Sequence, residues 1–232
     1  QTSRGLGDVY KRQVHHPRPS HVYQLLPCRD RVALNAPLFV QPLPKSIPWT
    51  GSIAYLDRDG VLNKGSSNYI NSPSELEILP DAGKCIAKLR KSGMRIAVVT
   101  NQSPVGRGLW DSENLAKIHE ALQEMLLLDD PDATIDLILH SPYPPFYDAW
   151  ARKPQPGMLE AARQLLDHAE SGEDWSKLDL RFGSEWLNRP SEESSVMVGD
   201  RMSDMEAARS FNVNGLLCPP DVGLSGVIDQ IL

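Results

Sequence analysis

The sequence predicts an α/β fold, a three-layer doubly wound parallel sheet. Short runs of apolar, often β-branched residues alternate with amphipathic helical stretches along residues 51–232. Alternation of this kind builds a parallel sheet with helices on both faces. The runs are apolar throughout rather than at every second residue, which marks strands buried on both sides. Across the 232 residues, 41% hydrophobic and 23% charged content matches an ordinary folded chain and excludes a disordered or collagen-like one.

Ser52–Leu56 supplies the first strand. After a polar loop, Asp81–Ser92 carries Cys85, Ile86 and Leu89 at helical spacing, and Gly93 stops the helix. Arg95–Val99 is the second strand. Ser112 is placed to cap a helix whose Leu115, Ile118, Leu122, Met125 and Leu126 form one stripe. Ile135–Leu139 is a third strand, and Pro156 opens a helix carrying Leu159, Ala162, Leu165 and Leu166. Ser171–Ser194 is polar and irregular and reads as a long surface excursion. Ser195–Val198, Ser203–Phe211 and Gly215–Cys218 complete the pattern as strand, helix and strand. Loop, helix and strand already fill the stretch from Asp59 to Asn101, leaving no room for an inserted cap domain.

Residues 14–50 are rich in proline (Pro17, Pro19, Pro27, Pro37, Pro42, Pro44, Pro48) and lack periodicity, so a largely irregular extension draped on the domain is expected. Ahead of it, Asp8-Val9-Tyr10-Lys11-Arg12-Gln13 back-translates to GAT GTG TAT AAG AGA CAG, an end sequence of transposon-based sequencing libraries. Residues 1–13 are therefore expected to be a translated adapter, with the natural start of the protein missing. No secretory signal is expected, and no apolar run approaches the roughly 18 residues of a membrane span. Cys28, Cys85 and Cys218 lie far apart and match no zinc spacing, which points to a reducing, cytoplasmic setting. The net charge of −6 argues against a nucleic-acid binder. A monomer with no membrane partner is expected.

In doubly wound sheets, ligands bind beyond the carboxyl ends of the strands. The residues after each apolar run therefore carry the functional argument. After the first stands Asp57-Arg58-Asp59-Gly60-Val61-Leu62-Asn63. Carboxylates at i and i+2 point the same way from an extended segment. Together they invite a hard cation such as Mg²⁺, although a solvated turn fits the same residues. Thr100-Asn101-Gln102-Ser103, after the second run, can hold a phosphoryl oxygen or merely cap a turn. Arg152-Lys153-Pro154 follows the third strand and offers a fork and a compact charge for phosphate; a solvated basic pair is the plain alternative. Gly199-Asp200-Arg201-Met202-Ser203-Asp204 follows the fourth. There Asp200 can complete a metal site, and Asp204 can anchor Lys153 or simply favour a helix N-terminus. Each set alone is bland. Their order and shared placement are not.

DRDGVLN, TNQS, RKPQPGM and VGDRMSD, in this order, resemble the four motifs of the haloacid dehalogenase-like superfamily, and more narrowly its heptose-bisphosphate phosphatase and histidinol-phosphatase branch. The likeness covers residues 52–218. It implies a Rossmann-like fold and a Mg²⁺-dependent phosphomonoesterase acting on a small-molecule phosphate ester, foremost a sugar phosphate such as a heptose bisphosphate. By this resemblance Asp57 attacks phosphorus and becomes an aspartyl-phosphate, while Asp59 protonates the leaving alkoxide and then activates water. Mg²⁺ is held by Asp57, the Asp59 main-chain carbonyl and Asp200. Thr100 and Lys153 steady the charge on the transferring group. Arg152 recognises the substrate, with Asn101, Gln102, Ser103, Tyr69 and Arg201 beside it.

The chain departs from that branch in two places. Many relatives bind zinc through Cys-x-His and Cys-x-Cys in the loop before RKP. Here the matching positions are Ser141, Tyr143, Ala149 and Ala151, so zinc is not expected. Pro142, Pro144 and Pro145, with Phe146, Tyr147 and Trp150, are read as stiffening the loop instead. Pro104 replaces the glycine of TNQSG and removes a backbone donor beside the site. His119 and His140 are expected to be structural. Histidinol phosphatase is the nearest rival activity. A signalling receiver domain also unites Asp, Thr and Lys around Mg²⁺, but it places its phosphorylated Asp after the third strand, where this chain has His140 and Ser141. Both carboxylates of the DxD pair stand against a catalytically silent phosphate-binding protein.

Overall fold

The computed structural model describes residues 25–232; the expected adapter and the start of the proline-rich extension lie outside them. Five strands, β1 (Ile53–Leu56), β2 (Arg95–Asn101), β3 (Leu137–Ser141), β4 (Val196–Gly199) and β5 (Asn214–Leu217), form one parallel sheet in the order β3-β2-β1-β4-β5. The helices are α1 (Ala82–Lys91), α2 (Ser103–Gly106), α3 (Ser112–Asp129), α4 (Gly157–Ser171) and α5 (Met202–Ser210). The chain builds outward from β1 to β3, then crosses back to β4 on the other side of β1. That reversal opens a crevice at the carboxyl ends of β1, β2 and β4, the place where doubly wound sheets take ligands.

Period-two alternation assigns each strand residue to one of two cores. Ala54, Leu56, Ile96, Val98, Val196 and Val198 pack with Ile86 and Leu89 of α1 and Ile118, Leu122 and Leu126 of α3. Ile53, Tyr55, Ala97, Val99, Leu137, Leu139 and Met197 face the other way, onto Leu159, Ala162, Leu165 and Leu166 of α4 and Ala207 and Ala208 of α5. Both faces are covered over β1 to β4, which is why those runs are continuously apolar, whereas the edge strand β5 is largely exposed.

Several boundaries differ from the sequence reading. The third strand starts two residues later, at Leu137, because Asp136 turns inward: its carboxylate accepts from Arg90, Arg95 and the Ile96 amide, each at 2.8 Å. Asp111, not Ser112, caps α3, accepting from the Asn114 amide at 2.8 Å. Helix α2 is a single turn whose apolar content is too short to show periodicity; Pro104 sits in its first turn, where no intrahelical donor is lost. The stretch expected as a surface excursion is anchored instead. Phe182 is buried in the second core, and Glu192 accepts from buried Arg163 and from the Tyr55 hydroxyl.

The described part of the extension is tied down as well. Cys28 and His140 exchange both backbone hydrogen bonds at 2.9 Å, adding a short antiparallel bridge to the β3 edge. The Gln41 and Pro42 carbonyls accept from Arg95 and Arg90.

Candidate active site

Close backbone approach brings the β1 and β4 loops together. Gly60 has φ +79°, and a Cβ there would lie 2.5 Å from an Asp200 carboxylate oxygen. Only glycine allows that turn at that distance. Gly199 is constrained likewise, since a Cβ would collide with the Asp204 side chain. The sequence thereby sets Asp57, Asp200 and Asp204 side by side beyond β1 and β4.

Asp57 is buried at the end of β1. Its Oδ1 accepts from the Arg58 amide at 2.8 Å and lies 2.9 Å from Lys153 Nζ. The same ammonium lies 2.6 Å from Asp204 Oδ1, so Lys153 bridges two carboxylates. Burial pushes Lys153 down, but Asp57 and Asp204 together outweigh it and keep the ammonium charged. Burial pushes Asp57 up; Lys153 offsets part of this, Asp204 and Asp59 add to it, and the carboxyl settles at about 6. At neutral pH most of it is ionised, the form a nucleophile needs.

The Asp59 carboxylate turns away from this group. It accepts from the Arg58 guanidinium at 2.9–3.3 Å, from Asn63 at 2.9 Å and from Gln102 at 3.1 Å. Burial works to raise its pKa, but Arg58 and these hydrogen bonds prevail and hold it below the ordinary carboxylate range. Gln102 also donates to Thr100 Oγ1 at 2.9 Å, so one amide fixes two predicted residues. Asn101 at the end of β2 exchanges two 3.1 Å hydrogen bonds with the Lys153 main chain, locking the β2 end to the Arg152–Lys153 loop.

These groups surround a cleft of about 620 Å³. Asp57, Asp59, Tyr69, Thr100, Asn101, Gln102, Ser103, Arg152, Lys153, Arg201 and Asp204 all line it, whereas Asp200 is not among the lining residues. Besides Arg58, three guanidiniums, Arg107, Arg152 and Arg201, line the cleft. Burial lowers the pKa of Arg152, and the charges of Arg107 and Arg201 lower it further. Over the whole cleft the lining cations are Arg58, Arg107, Arg152, Lys153 and Arg201, and the lining acids Asp57, Asp59, Asp148 and Asp204. Tyr69 accepts from Arg107 at 3.4 Å, and Arg152 donates to the Tyr143 carbonyl at 3.0 Å.

The sequence reading passed over three of these residues. Arg58 was visible as a cation between two carboxylates, and Asn63 closes the same motif. Arg107 had no signal, since it follows a one-turn helix with no periodicity of its own.

The donor set suits a hard cation. Asp57, Asp200 and Asp204 each offer an oxygen within 4.8 Å of the others, and buried Asp200 Oδ1 has no hydrogen-bond partner. The Asp59 carboxylate is not among them, whereas that of Asp204, expected as the anchor of Lys153, is. In the loop before Arg152, Tyr143 donates to the Leu26 carbonyl at 3.3 Å and the Ala151 amide to that of Leu25 at 3.0 Å. Contacts to the preceding extension thus hold a loop expected to be stiffened by its prolines.

A HAD-hydrolase-like family model matches residues 150–223. The D-glycero-beta-D-manno-heptose-1,7-bisphosphate 7-phosphatase of Pseudomonas aeruginosa is 34% identical over 75% of this chain and 84% of its own length. The D-glycero-alpha-D-manno-heptose-1,7-bisphosphate 7-phosphatase of Mycobacterium tuberculosis is 34% identical over 67% of this chain and 70% of its own. Among solved structures, a D,D-heptose 1,7-bisphosphate phosphatase from B. bronchiseptica, complexed with magnesium and phosphate, aligns with a TM-score of 0.57 at 27% identity, covering 78% of this chain and 97% of that one.

Proposed function

The chain belongs to the haloacid dehalogenase-like hydrolases and is a phosphatase; from that premise we propose that it hydrolyses a sugar bisphosphate of the heptose-1,7-bisphosphate kind through an aspartyl-phosphate on Asp57. The observation that carries the substrate class is the pairing of a buried nucleophile with a cationic rim. Asp57 and Lys153 lie in the cleft, and Arg107, Arg152 and Arg201 crowd one another beside them. One phosphoryl group occupies the Asp57 end. A second anion at the arginines relieves their mutual repulsion. Histidinol phosphate brings no second anion to that rim, so the bisphosphate is favoured over the rival.

In the proposed reaction, Asp57 Oδ attacks phosphorus while the ester oxygen departs. Lys153, held by Asp204, and the Thr100 hydroxyl, oriented by Gln102, face the equatorial oxygens and stabilise their charge. Held ionised by the Arg58 fork in the free site, Asp59 must leave that fork and take up a proton from solvent before it can protonate the alkoxide. The carboxylate so regenerated then takes a proton from the water that cleaves the aspartyl-phosphate. Asp57, Asp200 and the Asp59 carbonyl would hold Mg²⁺, which when bound would supply positive charge against the nucleophile and phosphoryl oxygens. Asn101 keeps Lys153 in register, and Arg152, Arg201 and Tyr69 position the rest of the substrate.

Phosphate release from heptose 1,7-bisphosphate and histidinol phosphate, each with Mg²⁺ present, tests the reading. The bisphosphate should be turned over with at least ten times the kcat/KM, the factor that about 1.4 kcal/mol of added binding gives. Equal or faster turnover of histidinol phosphate overturns the substrate assignment. No turnover of either, with activity on other esters, overturns the bisphosphate reading while leaving the phosphatase intact.

A further inference from the structure

We propose that Asp30, His119 and His140 form a second metal site, separate from the phosphatase centre, for a borderline transition-metal ion of the zinc type. The three residues come from different segments: Asp30 from the extension, His119 from the middle of α3 and His140 from β3. Each offers one ligand atom within 4.8 Å of the other two. His119 Nδ1 lies 2.8 Å from Asp30 Oδ2, and His140 Nδ1 lies 3.5 Å from Asp30 Oδ1. Neighbouring donors on a tetrahedral ion with bonds of about 2.0–2.1 Å sit roughly 3.3–3.4 Å apart, and the two distances to Asp30 fall on either side of that span.

The cluster also carries an unmet need. Both imidazoles are 98% buried, and His140 Nδ1 and Asp30 Oδ1 have no hydrogen-bond partner. Native structures seldom leave buried polar atoms so, and an ion would satisfy both. Burial pushes the two imidazoles down, His140 to about 4, so that each ring is neutral at pH 7, the form that binds metal. Two imidazoles and one carboxylate suit zinc, cobalt or nickel better than Mg²⁺. The missing cysteines of the loop before Arg152 do not bear on these donors.

An ion here does different work from one at Asp57. It clips the extension onto α3 and β3, beside buried Arg58, whose charge is felt at both histidines. Binding through His119 Nδ1 requires the neutral ring to carry its proton on Nε2, so the Nδ1 contact to Asp30 gives way to the ion.

The test uses the full chain, stripped with chelator and desalted, then offered Zn²⁺ or Co²⁺ in excess Mg²⁺ so that the phosphatase centre is occupied. Elemental analysis after gel filtration should find one transition-metal ion per chain, and Co²⁺ should give a visible absorption band. Zn²⁺ should also raise Tm by at least about 2 °C. Asp30→Asn and His140→Asn should each weaken binding by at least about 10–100-fold, the range seen when even an outer partner of a metal site is lost. Asp200→Asn should bind as the parent does. No retained metal in the parent overturns the proposal by itself, whether or not the histidine variant folds. Unchanged binding by folded Asp30→Asn, or loss confined to Asp200→Asn, overturns it equally.

Discussion

Arg58 lies between the two carboxylates of the DxD pair and serves both, its amide donating to Asp57 and its guanidinium to Asp59. The two acids are thereby separated in task. Asp57 faces Lys153, whereas Asp59 is held in a cage of Arg58, Asn63 and Gln102. Asp57→Asn keeps a possible metal ligand but loses the nucleophile, so turnover and acid-stable phosphoenzyme labelling should both disappear. Normal turnover would remove the covalent mechanism. Asp59→Asn should depend on the leaving group. A sugar alkoxide needs a proton as it departs, while an activated aryl oxide largely does not. First-step rates should therefore fall by about 10²–10⁴-fold for the sugar phosphate and far less for the aryl ester. A burst measurement on both substrates decides, and equal losses would mean that Asp59 only holds metal or fold. Asp57 and Asp59 were legible in the sequence because they follow directly on an apolar run, and Lys153 because it ends the loop beyond β3; Arg58 and Asn63 were not singled out. Which groups would partner which was not legible. That Gln102 would bind Thr100 and Asp59 together depends on side-chain directions that no spacing encodes.

Helices and strands were legible wherever a periodic face exceeded two turns or a run was apolar throughout, as in α1, α3 and β2. What escaped was structure set by single polar groups. Asp136 shortens β3 because it must satisfy two buried guanidiniums, and Glu192 pulls an otherwise polar loop inward through Arg163. Neither acid differs in sequence from a solvated one. The Asp136 node lies between Arg90 of α1 and Arg95 of β2, and the same arginines reach the Gln41 and Pro42 carbonyls and Glu170 of α4. Asp136→Asn leaves buried Arg90 without a counter-charge and Arg95 with Glu170 alone, and should cost about 3–5 kcal/mol, the penalty for breaking a buried ion pair from one side. Urea unfolding with an unchanged m-value and a lowered midpoint is the expected result. Since the node is at the amino end of the sheet, away from the cleft, kcat of the folded variant should stay close to the parent's. A cost below about 1 kcal/mol would show that the node is solvated in solution.

The molecule carries a net charge of −6 yet is proposed to bind a strongly anionic substrate. Global and local fields therefore oppose each other, and distance decides which governs. Screening lengths are roughly 30 Å at 0.01 M salt and 8 Å at 0.15 M. Far from the surface at low salt, the approaching substrate senses the whole negative chain. Inside the cleft it meets Arg107, Arg152 and Arg201 at contact range, where screening is weak. Added salt should thus do two things to a bisphosphate: weaken the long-range repulsion and weaken the partly exposed rim contacts. Only the second acts more strongly on a bisphosphate than on the monophosphate with the same sugar, once the approach is no longer limiting. The ratio of their kcat/KM values should accordingly fall as salt is raised through the physiological range. Arg107→Gln removes one rim charge without touching Asp57, Lys153 or the carboxylates. It should lower that ratio by about 10–100-fold, the equivalent of one charge-assisted hydrogen bond of roughly 1.5–3 kcal/mol, and flatten its salt dependence. kcat for the monophosphate should hardly change. A ratio that Arg107→Gln and salt both leave untouched would mean that the second phosphate is read elsewhere, and the arginine rim would then belong to substrate approach rather than to substrate choice.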